Sequence, residues 1–145
     1  MSEDDRCVLF RRAGRIDRRG LVQFARRLRE EVAGGRTFRC LVTDDRELRR
    51  LNAYFLRKDY PSDVLSFPEP GNGFLGEIAI SAERAAEQAR KRGHTAAEEI
   101  RILMLHGLLH LMGMDHEADR GSMARAERSW RRKLGLAEGL IERSS

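Results

Sequence analysis

Apolar residues recur along this chain at two periods, one helical and one strand-like. Leu21, Phe24 with Ala25, Leu28 and Val32 fall three to four apart, which predicts a helix from about Asp17 to Ala33. Asp17 is its N-cap and Gly34-Gly35 stop it. Ahead of it, RCVLFR (Arg6–Arg11) reads as a strand, and behind it TFRCLVT (Thr37–Thr43) reads as a second. Asp44-Asp45 caps a helix from Arg46 to about Leu56 with Leu48, Leu51 and Phe55 inward. DVLSF (Asp63–Phe67) and FLGEIAI (Phe74–Ile80) read as a hairpin, joined by turn-forming residues 68–73. Ser81 caps a helix to about Arg92, ended by Gly93. Thr95-Ala96-Ala97-Glu98 is a capping box, with Glu99 adding charge at the positive end of the macrodipole. The helix it opens should run to Met112, with Gly113 where a left-handed cap would sit. A last helix covers about Asp119 to Leu134. The expected fold is α+β or mixed α/β: a small sheet of about four strands with about five helices before, between and after.

The chain has 145 residues, which predicts one domain over 1–145. Hydrophobic residues make up 41% of it, enough for a core without disulfides. The longest apolar run, Leu103–Met114, has 12 residues and carries two histidines, against the roughly 20 a spanning helix needs. The start, Met1-Ser2-Glu3-Asp4-Asp5, is acidic and lacks the features of a signal peptide. Cys7 and Cys40 sit apart in strand-like runs and read as buried free thiols. Together these predict a cytoplasmic protein without a membrane partner.

Lys+Arg is 28 and Asp+Glu is 23, so the net charge is +5, which invites a polyanion. Arginine doublets at 11–12, 18–19, 26–27 and 49–50 could form a strip facing RNA or a solvated helix surface. Phe10, Phe24, Phe38, Phe55 and Phe67 fit core positions, leaving Tyr54, Tyr60 and Phe74 as candidates for stacking on bases.

The chemistry concentrates in 11 residues, His106-Gly-Leu-Leu-His110-Leu-Met-Gly113-Met-Asp115-His116. Residues four apart on a helix lie one turn apart on one face, so His106 and His110 can reach a single ion. Gly113 supplies the break that lets the chain fold back, and His116 returns three residues later. This H-x-x-x-H-x-x-G-x-x-H frame holds the zinc of metzincin peptidases. Those enzymes carry a glutamate base directly after the first histidine, and here that position is Gly107. The ligand set is kept while the peptidase base is gone. Three neutral imidazoles leave an ion at full charge with an open position, suited to an anionic ligand and to lowering the pKa of bound water. Asp115 is either an orienting or proton-accepting partner of that site or a turn residue after the helix. His94, just before the Thr95 cap, reads as a loop residue rather than a ligand.

From about Thr43 to Leu136 the sequence resembles the YbeY family of bacterial rRNA-maturation factors, described as zinc-dependent endoribonucleases. His106–His116 is similar to the family's HGxLHLxGxDH. Leu51-Asn52 through Arg57 and Asp59, then Ser62–Phe67, resemble its LN…R…D…TDVLSFP stretch, with Ser62 for the commoner threonine. Gly76–Ser81 resembles GDIxIS, with Glu77 for aspartate, and Met123, Glu127 and Leu134-Gly135 resemble its closing helix. The resemblance implies a mixed sheet against helices, with a zincin-like three-histidine site at one end of a cleft. It implies a single-strand-specific endoribonuclease acting in maturation of the 16S rRNA 3′ end and in ribosome quality control. The ligands would be His106, His110 and His116, holding one Zn2+ per chain, with no small-molecule cofactor. Partners would be rRNA and the small ribosomal subunit or its assembly factors. Arg57 maps to an arginine the family treats as important. A guanidinium there would stabilise charge on phosphorus, where its position alone also fits a helix-end residue. His106, Arg57 and Asp115 are thus the catalytic candidates. Two other readings are a metallopeptidase, which fails on Gly107, and an assembly factor whose metal binds RNA without cleaving it.

Overall fold

In a computed structural model, the described residues are 7–55, 62–114 and 121–136. Nine elements follow one another there: β1 (Val8–Phe10), α1 (Arg18–Glu31), β2 (Thr37–Thr43), α2 (Asp45–Phe55), β3 (Val64–Gly71), β4 (Phe74–Ser81), α3 (Ala82–Arg92), α4 (Ala96–Leu111) and α5 (Ser122–Leu134). The sheet order is β1-β2-β4-β3. β1, β2 and β4 run parallel, and β3 is antiparallel to β4. The fold is α+β, with a mixed four-stranded sheet and five helices among the described residues.

The helix boundaries follow from local chemistry. The Asp17 carboxylate accepts from Gly20 N at 3.0 Å, Asp44 from Glu47 N at 2.9 Å, Ser81 from Arg84 N at 3.2 Å and Thr95 from Glu98 N at 3.1 Å. Each satisfies one backbone donor that a helix start leaves open.

The hairpin departs from expectation. The composition of residues 68–73 predicts a turn, yet β3 continues through Pro68 to Gly71, with Pro68 opposite Gly76. β3 is an edge strand, so a proline there removes no ladder bond that a second neighbour would need. The turn shrinks to Asn72-Gly73, with φ of 52° and 80°, the two positive values a two-residue hairpin turn requires. β1 is shorter than expected, although Arg11 N still donates to Val42 O at 3.0 Å.

Alternating side chains divide the sheet between two unequal layers. Phe38, Cys40 and Val42 of β2 and Ile78 and Ile80 of β4 join the main core with α1, α4 and residues of α3 and α5. On the opposite face Ala79 and Leu65 meet Leu48 of α2 in a small cluster. Among the described residues α2 is the helix on that face, and it leaves part of the face open. A groove of about 350 Å³ stays open beside α2, lined by Leu9, Leu41, Phe55 and Phe67 among others. Phe55, expected in the core, is therefore 58% exposed and meets Phe67 edge-on at 5.6 Å. Cys7 and Cys40 are free and buried, as expected. No helix among the described residues is long and apolar enough to cross a membrane.

Candidate metal centre

α4 is the central helix of the main core. Between Ile102 and Leu111 every residue is buried except His106 and His110, which are half-buried. A helix enclosed nearly all round normally carries apolar residues throughout. The two imidazoles interrupt that buried run. Their ring centroids lie 4.8 Å apart with planes at 69°.

The rest of α4 shows why no acidic side chain accompanies them. A Cβ on Gly107 would lie 2.9 Å from Ile78 Cγ2 and 3.2 Å from Cγ1, closer than side chains pack. The Ser66 hydroxyl donates to the Gly107 carbonyl at 3.2 Å, tying α4 to β3. Position 107 thus faces the sheet, and glycine is what permits the approach. At the other end Met112 N donates to Leu108 O at 3.0 Å, and Met114 N to Leu109 O at 3.1 Å. Gly113 takes φ of 96°, so the chain leaves the helix axis where the motif requires it.

His106 has a partner from α5. Its Nδ1 lies 2.5 Å from Glu127 Oε1, and Arg131 donates to Glu127 Oε2 at 3.0 Å. The sequence places Glu127 in the stretch that resembles the family's closing helix, and the structure adds Arg131 beside it. The signal was present: Met123, Glu127, Arg131 and Leu134 recur at helical spacing, and all four are buried. Charged residues inside an apolar stripe call for partners.

Among the described residues no three His, Cys, Asp or Glu side chains converge on one point. The third expected ligand, His116, lies outside the described residues, as do Asp115, Arg57 and Tyr60. Two imidazoles one turn apart, one of them backed by a carboxylate, form a donor set suited to a divalent ion of the zinc type. His94 lies away from this pair: its Nε2 is 2.6 Å from Glu99 Oε1. Glu99 lies in the first turn of α4, as expected, and is fully buried there.

The arginine doublets are partly absorbed by the fold. Arg12 pairs with Asp44 at 3.2 Å, Arg27 with Glu31 at 2.7 Å and Arg50 with Glu47 at 2.6 Å, and Arg18 lies 5.3 Å over the Phe10 ring. The bond from Arg50 holds the Glu47 carboxyl below its ordinary range.

Burial pushes the Cys7 thiol up to about 11 and raises Cys40 as well, which disfavours the thiolate form at both.

The whole chain has close relatives. The family model described as Endoribonuclease YbeY matches residues 17–135. The endoribonuclease YbeY of Solibacter usitatus is 59% identical over 143 residues, covering 98% of this chain and 97% of the relative. That of Koribacter versatilis is 44% identical over 138 residues, covering 95% and 91%. The solution structure of TM1509 from Thermotoga maritima is similar with a TM-score of 0.58 at 25% identity, covering 92% of this chain and 98% of that one. The matched residues include both histidines of α4 and the α5 carboxylate that meets one of them, and this chain belongs to the endoribonuclease YbeY family.

Proposed function

We propose that this chain cuts RNA internally at a zinc centre held by His106, His110 and His116. Membership of the endoribonuclease YbeY family carries the reaction class: the chain is a metal-dependent endoribonuclease of rRNA maturation. The observation that carries the location is the pair His106 and His110, the two half-buried side chains in the buried run Ile102–Leu111.

When bound, a zinc ion supplies Lewis-acid polarisation of a phosphate oxygen and a water of lowered pKa. The chain's own residues do the rest. His106 and His110 present their ring nitrogens from one face of α4, and the buried surroundings of that helix keep them there. Arg57 places a planar guanidinium against the phosphate as negative charge grows on it. Asp115, beside His116, orients an imidazole or takes a proton. The small ribosomal subunit, the 16S rRNA 3′ end, a single-stranded target and a cytoplasmic setting belong to the same proposal.

A peptidase is disfavoured by position 107, where Ile78 occupies the space that a catalytic glutamate would need. The test is single-turnover cleavage of a 16S rRNA 3′ fragment by purified protein, beside a His110→Ala preparation, with casein as a second substrate. The proposal expects RNA cut only by the wild type and casein cut by neither. RNA bound by both and cut by neither would make the chain an assembly factor instead.

A further inference from the structure

We infer that Glu127, itself held by Arg131, is a positioning residue that locks His106 in the tautomer with the hydrogen on Nδ1 and the metal-binding lone pair on Nε2. The inference rests on the three-histidine centre proposed above and goes beyond it by naming what aims one of its ligands.

A carboxylate only accepts hydrogen bonds. At 2.5 Å from Glu127 Oε1, His106 Nδ1 must therefore carry the hydrogen, and the lone pair of the neutral ring lies on Nε2. The carboxylate is well held. Glu127 is 1% exposed and Arg131 is 3% exposed, so water does not compete for either. Arg131, one helical turn along α5, occupies Oε2 at 3.0 Å and leaves Oε1 for the imidazole. Met123 and Leu134 anchor the same helix in the main core, which fixes the carboxylate relative to α4. A hydrogen-bonded anion behind an imidazole also makes its other nitrogen a stronger donor to metal. A structural role alone would need only the pairing of Glu127 with Arg131, whereas the second oxygen is used on a motif histidine.

The experiment uses the full chain labelled with 15N. Two-bond proton–nitrogen correlations report the His106 tautomer in metal-free protein, and chelator competition reports zinc affinity. Two variants are compared with wild type: Glu127→Gln, and the pair Glu127→Leu with Arg131→Met, which removes both buried charges together and spares the interior a lone one. Circular dichroism confirms that each is folded. Glu99→Gln, at a carboxylate that faces His94, serves as control. The inference expects the Nδ1–H form in wild type and a shift toward Nε2–H in the double variant. Zinc should bind about 10–100-fold more weakly in the double variant and less weakly in Glu127→Gln. Glu99→Gln should leave zinc affinity unchanged. A folded double variant with unchanged tautomer and zinc affinity would overturn the inference and leave the metal centre standing. A wild type that takes up no zinc would overturn the metal centre and this inference with it.

Discussion

At the α3–α4 corner His94 Nε2 lies 2.6 Å from Glu99 Oε1, and Arg92 reaches the other carboxylate oxygen at 3.5 Å. Between α4 and α5 His106 Nδ1 lies 2.5 Å from Glu127 Oε1, and Arg131 reaches the other oxygen at 3.0 Å. The same three residue types thus meet twice, each time around a buried glutamate. The surroundings differ. The His94 side chain is 9% exposed and closes a junction between two helices, while that of His106 is 18% exposed and stands beside His110. Among the described residues the first triad has one imidazole. The second has a second imidazole one turn away and a glycine break at Gly113. An Arg–Glu–His contact is therefore not by itself a site. A second donor on the same face and an opening to solvent make the difference.

The sharpest break of the comparison is to remove one histidine from each side. His106→Ala should abolish zinc retention and RNA cleavage, whereas His94→Ala should retain both and lower only the melting temperature. Leaving the buried Glu99 short of a partner should cost about 1–3 kcal/mol, read from urea unfolding. Loss of zinc in His94→Ala would merge the two triads into one functional unit.

Arg57 sharpens the catalytic side. Arg57→Ala should lower single-turnover cleavage by ~10²-fold or more while leaving zinc content and fold intact. Arg57→Lys should not rescue it, because a point charge replaces the planar fork. RNA affinity at fixed salt should fall much less, since other basic residues supply the non-specific term. Unchanged cleavage in Arg57→Ala would make it a helix-end residue only.

Chelation separates the ion from the fold. α4 packs through Ile100, Leu103, Met104 and Leu108, all buried, without help from its histidines. Metal-free protein should keep a near-native circular dichroism spectrum and melt at a lower temperature, as binding linkage requires. Complete unfolding on chelation would make the His106 triad structural, like that of His94.

A smaller effect lies far from both triads. The folded-state pKa of Cys7 is raised from 9.0 to about 11. Its contribution to stability is therefore present in full below pH 9 and lost as the pH rises toward 11. Urea midpoints of wild type and Cys7→Ala should converge or cross over that interval, and a constant difference would contradict the burial argument.

Most helix ends were legible in the sequence because caps act over three or four residues: Asp17, Ser81 and Thr95 each bond a backbone group nearby. The His106–His110 face was legible for the same reason, since helical spacing alone sets it. The misreadings share a cause. Pro68 belongs to β3 because of that strand's place at the sheet edge, which a local pattern does not encode. Phe55 is exposed because, among the described residues, α2 is the helix on that face of the sheet and leaves part of it open. The partner of His106 is 21 residues away on another helix, and packing brings it there.

The central claim is that three imidazoles hold one ion on which RNA cleavage depends. Elemental analysis of protein purified without chelator tests it most directly, run on wild type and on the His106→Ala/His110→Ala variant. The account predicts about one zinc per chain in the wild type and none in the variant. Equal zinc in the two proteins would contradict it.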